Sequence, residues 1–135
     1  MTPHLFEPIR LREVGMDNRI VVAPMAQYAA EDGAMSDWHL MHLGHLCLGG
    51  AGLLFTESVV VSREGRISHH CACLCDDATE AAMARVVGFC RRHGGARLGI
   101  QIGHAGPKGS ADTPWNGRRP YTPAEGAWPL VAPSP

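Results

Sequence analysis

Three apolar segments of strand length alternate with two segments of helical periodicity along this 135-residue chain. The apolar segments are residues 19–23, 53–61 and 97–102, and the first ends at Pro24, which has no backbone N–H to offer a sheet. Continuous apolar runs of this length are typical of strands in a parallel sheet that is covered on both faces. The pattern therefore predicts three parallel strands.

The two helical segments lie between these strands. Ser36 is a favourable N-cap, and the segment after it keeps helical spacing until the pair Gly49-Gly50. The second helix is predicted to begin at Asp76-Asp77 and to end in Arg91-Arg92-His93, with acidic residues at its positive end and cations at its negative end. An order of strand, helix and strand indicates right-handed βαβ units.

The two ends of the chain differ from this alternation. Residues 5–18 predict a short opening ribbon, and the segment after Ala105 is rich in Gly and Pro and is expected to lack structure. A complete (β/α)₈ barrel needs about 250 residues. We therefore expect an α/β fold, the N-terminal portion of a (β/α)₈ TIM barrel truncated after its third strand, with residues 1–135 forming one incomplete domain.

Composition and charge exclude several classes of protein. Twelve Lys and Arg nearly balance 13 Asp and Glu, and the formal net charge is −1, so neither a nucleic acid nor an anionic membrane is expected as partner. No apolar run approaches the ~20 residues of a membrane span, and the N-terminus lacks the features of a secretory signal. Five cysteines, an odd number, favour a reducing cytoplasmic location.

Three of the cysteines are clustered at Cys71, Cys73 and Cys75. On an extended chain, residues two positions apart lie about 7 Å from each other, which is too far for a relaxed disulfide. Pairing within the cluster is therefore not expected.

Four motifs follow one another along almost the whole chain. They are Asn18–Met25 with Tyr28, Gly50–Glu57, Gly65–Ile67 and Gln101–Gly106. As an ordered set they resemble the N-terminal part of the Old Yellow Enzyme family of NADH:flavin oxidoreductases. The resemblance implies FMN as cofactor, NAD(P)H as reductant and a small-molecule substrate, with hydride transfer to an activated alkene as in ene-reductases. Self-association into a homo-oligomer is left open.

A narrower likeness lies within that family. Met25–Tyr28, His39–Gly44 and Glu125–Leu130 resemble the barrel portion of salicylyl-CoA hydroxylases and anthraniloyl-CoA monooxygenase/reductases. This likeness implies that the hydride acceptor could instead be a ring derived from an aryl-CoA thioester.

The family resemblance also implies roles for individual residues. Backbone groups of Ala23, Pro24, Met25 and Ala26 would line the flavin, and Ser58 would lie near its ring. Gln101 would bond the pyrimidine end, for which a carboxamide offers both donors and an acceptor. Tyr28 would project over the ring and contact substrate. No catalytic residue is assigned, because the substrate-binding histidines and the phosphate site of the family would lie beyond the third strand.

The sequence departs from the family at two positions. Ala26 stands where one branch has a cysteine that tunes the flavin potential, and Pro107 stands where arginine is usual. The tuning by that thiol and any contact of that arginine are therefore not expected here.

Two alternatives remain beside this interpretation. The chain could be an inactive fragment, or it could be a small interaction module that binds metal through residues 69–75, a string of histidines and cysteines. The spacing is not that of usual zinc sites, and we expect no metal. His39, His42 and His45 also share one broad helix face, where packing is the favoured interpretation, and His104 either faces the pocket or bonds its own loop.

Overall fold

The computed structural model describes residues 3–133. Its strands and helices are β1 (Ile9–Leu11), β2 (Val14–Met16), β3 (Val21–Val22), α1 (Asp37–Leu48), β4 (Leu53–Val59), α2 (Asp77–His93) and β5 (Arg97–Ile102). The predicted order of ribbon, strand, helix, strand, helix and strand is confirmed. Strand β3 has two residues where five were predicted, because only Val21 and Val22 find partners on β4 before the chain leaves the sheet.

The five strands form two separate sheets. Strands β1 and β2 pair antiparallel as the opening ribbon, and β3, β4 and β5 form a parallel sheet in that order. The pairing of β4 with β5 contains an irregularity: Phe55 is opposite Gly99, whereas Ser58 is opposite Gln101, so β4 carries one extra residue. A bulge of this kind changes which side chains face each side of the sheet.

The hydrophobic core lies between the parallel sheet and the two helices. Leu54 and Val59 of β4 both belong to it, although they are five positions apart, because the bulge reverses the alternation between them. The helices cross closely at Gly44, where a Cβ atom would stand 2.9 Å from the ring of Phe89. Within residues 3–133, no helix is long and apolar enough to cross a membrane.

Residues 103–133, the described part of the segment after β5, are ordered, and the expectation that this segment lacks structure was wrong there. It contains short 3₁₀ turns at Gly106–Lys108, Pro114–Asn116 and Pro123–Glu125. Its aromatic residues pack on the loop that follows β4: the ring of Tyr121 lies 4.6 Å from that of His69, and Trp128 Nε1 donates to the carbonyl of Glu64 at 2.9 Å. Two aromatic side chains thus supply the contacts that a Gly/Pro count does not reveal.

The cysteine cluster also differs from expectation. Cys73 and Cys75 form a disulfide, with Cα atoms 5.5 Å apart, while Cys71 is free and buried. The chain is not extended here, because the backbone N–H of Cys73 donates to the carbonyl of Gly33, while that of Cys75 donates to Thr79 Oγ1 at the start of α2. The bend shortens the Cα separation that an extended chain would impose.

Candidate functional site

A cavity of about 320 Å³ lies at the carboxyl ends of β4 and β5. Open α/β sheets and barrels place ligands at this end of their strands. Ala26, Ser58 and Gln101 line the cavity together, from three different segments of the chain. The other lining residues are Val60, Gly65, Ile67, Cys71, Ile102, Gly103, His104, Ala105 and Lys108.

Polar groups in this cavity come from paired positions on two strands. Ser58 and Gln101 are opposite each other in the register of β4 and β5, directly after the bulge. Within residues 3–133, neither the Ser58 hydroxyl nor the Gln101 carboxamide forms a side-chain hydrogen bond. Gly103 keeps the space open, because a Cβ atom there would stand 2.7 Å from Ser58 Oγ. The cavity therefore offers a hydroxyl and an amide that are free to meet a ligand.

The loop after β3 forms the neighbouring wall and is fixed from behind by a buried pair. His39 Nε2 lies 2.6 Å from Glu57 Oε1, and both side chains are at most 2 % exposed. The second carboxylate oxygen of Glu57 accepts the backbone N–H of Gln27 at 3.1 Å. One carboxylate thus joins β4, α1 and the loop that carries Ala26 and Tyr28.

The tautomer of His39 follows from its other contact. The backbone N–H of Ser36 donates to His39 Nδ1 at 3.0 Å, so the ring proton is on Nε2 and points at Glu57. Ser36 is the N-cap of α1 and donates its hydroxyl to the carbonyl of Ala29 at 2.8 Å. The start of α1 and the end of the loop are therefore fixed in one network.

The outer side of this loop has its own bonds. The Gln27 side chain donates to the carbonyl of Met25 at 2.9 Å and accepts Trp38 Nε1–H at 3.0 Å. The sequence pattern did not predict Gln27, His39 or Glu57 as positioning residues. The one signal was a glutamate inside an apolar strand, since a charge at such a position needs a buried partner.

Tyr28 lies at the far end of the same loop in a strained conformation. Its φ is 52°, in the left-handed region that residues other than glycine rarely adopt. Its ring meets Trp115 edge to face at 5.7 Å, and it lines a second, larger cavity rather than the first. Burial raises the pKa of the Tyr28 phenol, with the nearby Cys71 adding to the rise and Arg118 opposing it. The phenol therefore stays protonated at neutral pH.

The structure brings together only some of the residues that the family resemblance names. Ala26, Ser58 and Gln101 share the first cavity, and Tyr28 lies in the adjacent one. Ala23, Pro24 and Met25 are on the same loop but do not line either cavity. The structural role favoured for His104 agrees with its contact, since its Nδ1 accepts the N–H of Gly106 at 3.0 Å, and the same side chain also lines the first cavity.

The cluster at residues 69–75 has no metal-binding arrangement. Across residues 3–133, no three His, Cys, Asp or Glu side chains converge as metal ligands would. His69 Nε2 is 2.9 Å from the carbonyl of Glu125, and Cys73 and Cys75 are bonded to each other. The geometry thus gives no support to the alternative of a metal-binding module.

Comparison with known proteins agrees with this arrangement of strands and cavity. Residues 4–127 match the NADH:flavin oxidoreductase / NADH oxidase family. The chain belongs to this family. An NADH:flavin oxidoreductase of Gibberella zeae is 38% identical over 133 residues, covering 96% of this chain and 32% of that protein. An NADPH dehydrogenase of Bacillus cytotoxicus is 35% identical over 115 residues, covering 84% of this chain and 33% of that protein.

Solved structures give the same fold for this member of the flavin oxidoreductase family. Morphinone reductase superposes with a TM-score of 0.71 and 26% identity over 79% of this chain and 28% of its own. An Old Yellow Enzyme from Pichia gives a TM-score of 0.73 at 19% identity, over 79% of this chain and 28% of its own. The expected barrel fold is thereby confirmed. The chain spans about a third of the length of the relatives that it matches.

Proposed function

We propose that this chain forms the flavin-facing N-terminal part of an FMN-dependent NAD(P)H oxidoreductase. One observation carries the proposal: Ala26, Ser58 and Gln101 meet in one cavity at the carboxyl ends of the parallel strands. In this proposal residues 1–135 are one segment of an FMN-binding barrel domain.

The residues present fit a flavin ring in three respects. The cavity volume of about 320 Å³ is within the range of small-molecule sites. The Gln101 carboxamide has no partner within residues 3–133, so its donors and acceptor are available to the pyrimidine end of a ring. Ala26 lines the cavity and is exposed, so its backbone groups can meet the ring edge, as the family resemblance implies.

The chemistry that FMN supplies when bound is hydride transfer from NAD(P)H to an electron-poor acceptor. The residues of this chain bind and orient. Gln101 and Ser58 offer hydrogen bonds to the ring, and the network of Glu57 fixes the loop beside it. Tyr28 contacts the acceptor from the neighbouring cavity, with a neutral phenol that can donate a hydrogen bond.

The acceptor in this proposal is an activated alkene or a ring derived from an aryl-CoA thioester. Its support is the likeness of Met25–Tyr28 and Glu125–Leu130 to the aryl-CoA enzymes, together with the large cavity beside Tyr28. A cytoplasmic location and self-association stay predictions from the sequence.

The test is retention of FMN by the purified chain, measured by visible absorbance near ~450 nm after free flavin has been removed. Retained flavin supports the proposal. We expect Gln101→Ala to weaken retention about fivefold, the worth of one net hydrogen bond. Asn116→Ala removes an exposed carboxamide outside the cavity and is the matched control. If the wild-type chain retains no flavin, the inactive-fragment alternative is favoured and this proposal fails for the isolated chain.

A further inference from the structure

A second cavity of about 690 Å³ adjoins the proposed flavin cavity and shares Ile67 and Lys108 with it. Rings of Tyr28, Tyr121 and Trp128 form much of its wall. Ser110 and Arg118 also line it. The cavity therefore combines flat apolar surfaces with two charged side chains of the same sign.

The two cations in this wall have no anionic partner within residues 3–133. Neither Lys108 nor Arg118 forms a side-chain ion pair there, whereas the adjacent Arg119 binds both carboxylate oxygens of Glu125, at 2.9 and 2.6 Å. Arg118 is also close enough to Tyr28 to oppose the rise in the pKa of its phenol. Two unpaired cations beside one cavity give it a positive potential that favours anions.

Backbone strain is concentrated on the same wall. Five non-glycine residues of the described chain have positive φ, and three of them, Tyr28, Ser110 and Arg118, line this cavity. Residues in such conformations persist only where the surroundings enforce them, and they cluster at ligand-binding sites. Here Ser110 is 5 % exposed, and its hydroxyl accepts the backbone N–H of Trp128 at 3.1 Å, which fixes the aromatic wall.

We propose that this cavity binds the anionic group of an unsaturated aromatic acyl substrate, with Arg118 and Lys108 as its anion-binding residues. The aromatic part would lie against Tyr28, Tyr121 and Trp128, next to the proposed flavin cavity. A guanidinium suits a carboxylate or a phosphate through paired hydrogen bonds. The anion is therefore either a carboxylate on the substrate itself or a phosphate of an attached CoA. This substrate class rests on the proposed function, because the proposed function places the hydride acceptor beside the flavin.

The test is calorimetric titration of the full chain without FMN, using trans-cinnamate, its neutral analogue cinnamamide, and coenzyme A. We expect at least one of the two anions to bind more tightly than cinnamamide. Arg118→Gln should weaken binding of that anion roughly three- to tenfold, a modest loss because the guanidinium is exposed. Arg91→Gln removes the same charge from the exposed surface of α2 and should leave the affinity unchanged.

The pattern of binding separates the two sources of the anion. Preference for cinnamate identifies a carboxylate, and preference for coenzyme A identifies phosphate; either supports the proposal. Three results would overturn the proposal. They are equal affinity for cinnamate and cinnamamide with no binding of coenzyme A, no binding of either anion, and equal anion affinity of the Arg118→Gln and wild-type chains. If circular dichroism shows that Arg118→Gln is unfolded, the same titration is made with Lys108→Gln, which should also weaken binding of the anion. Because no FMN is present, failure of flavin retention leaves this result intact, and the two proposals can fail separately.

Discussion

Two segments of this chain form the walls of the adjoining cavities, and they are held in opposite ways. The loop of residues 23–30 is fixed from behind by Glu57 and His39, which are at most 2 % exposed. The segment of residues 106–131 is attached to the rest of the chain by aromatic packing on His69 and by a backbone bond from the N–H of Ala111 to the carbonyl of Ile67 at 2.9 Å. The exposed pair of Arg119 and Glu125 lies within the segment itself.

The difference lies in what each contact is worth. A buried carboxylate with two hydrogen-bond donors is expensive to leave unpaired, whereas an exposed ion pair contributes at most about 1 kcal/mol. The loop is therefore expected to be a rigid wall whose position changes only if the domain is disrupted. The later segment is expected to be an adjustable wall that can move while the parallel sheet stays folded.

Glu57→Ala is the change with the largest expected effect on this contrast. It leaves the Nε2–H of His39 and the N–H of Gln27 without their acceptor in a dry interior. We expect a loss of about 3–5 kcal/mol in the free energy of unfolding, measured by urea denaturation. A loss of this size would unfold much of a small domain, so a broad or absent transition is the corresponding result.

The matched control is Glu80→Ala, which removes an exposed glutamate from the first turn of α2. Its expected cost is a few tenths of a kcal/mol. Similar denaturation midpoints for Glu57→Ala and Glu80→Ala would contradict the view that the buried pair fixes the loop.

Trp128→Ala is the corresponding change in the later segment. It removes the bond from Nε1 to the carbonyl of Glu64, the contact with His69 and the stacking of Arg66, whose guanidinium carbon is 5.5 Å from the Trp128 ring. Because the side chain is only half-buried, we expect a loss of about 1–3 kcal/mol. The effect should be local: limited proteolysis should cut residues 106–131 faster while the sheet remains protected.

Trp128→Phe keeps an aromatic ring but loses the Nε1–H donor and part of the indole surface, so its proteolysis rate should be intermediate. Trp115→Ala removes a ring that is 67% exposed and whose one aromatic contact within residues 3–133 is the edge-to-face contact with Tyr28, so its cleavage rate should change less than that of Trp128→Ala. Uniformly faster cleavage throughout the chain in Trp128→Ala would show that the two walls are not independent.

The two regions also differed in how well the sequence predicted them. Strand and helix periodicity, the Ser36 cap and the acidic start of α2 were sufficient for the βαβαβ order, because local pattern and tertiary burial agree there. The structure of residues 106–131 was missed, because its order comes from contacts of Tyr121 and Trp128 with a loop more than 50 residues earlier. Such long-range contacts leave no periodic signal in the sequence.

The candidate site was predictable in part for a similar reason. Ser58 and Gln101 lie near the ends of two strands that were predicted to be parallel, and in the observed register they are opposite each other. The bulge in β4 was not predictable from its sequence, yet it changes the faces to which Glu57 and Ser58 point. The packing expected for His39, His42 and His45 is confirmed for His39, which is buried, and is wrong for His45, which is exposed. The partner of His39 could not be inferred without the bulge.

Gln27→Ala tests the side-chain hydrogen bonds on the solvent-exposed side of the rigid wall. It removes the bonds to the Met25 carbonyl and to Trp38 Nε1, but it keeps the backbone N–H that Glu57 accepts. We expect a cost of at most about 1 kcal/mol in the free energy of unfolding, because these bonds are exposed to solvent. Tryptophan emission should shift to longer wavelength, because Trp38 becomes more exposed to water. Gln27→Glu keeps the acceptor for Trp38 Nε1–H, so the Trp38 fluorescence of this variant should be close to that of the wild-type chain. If Gln27→Ala lowered the free energy of unfolding as much as Glu57→Ala does, the exposed bonds of Gln27 would matter as much as the buried pair.

The pH dependence of the adjustable wall is the smallest expected effect. Bonds from Arg119 and Thr122 lower the pKa of Glu125 from its ordinary 4.5 to about 2. Since this pKa is depressed in the folded state, the stabilising contribution is fully present above pH 4.5 and is lost as the pH falls toward 2. Residues 106–131 should therefore loosen within this window, seen as faster cleavage by pepsin at lower pH. In Glu125→Gln the carboxylate is absent, so cleavage between pH 4.5 and 2 should follow only the intrinsic activity of pepsin, measured on an unfolded substrate. If Glu125→Gln showed the same pH profile of cleavage as the wild-type chain, a titrating group other than Glu125 would be responsible. The next residue to substitute would be Asp112, because its pKa is also lowered.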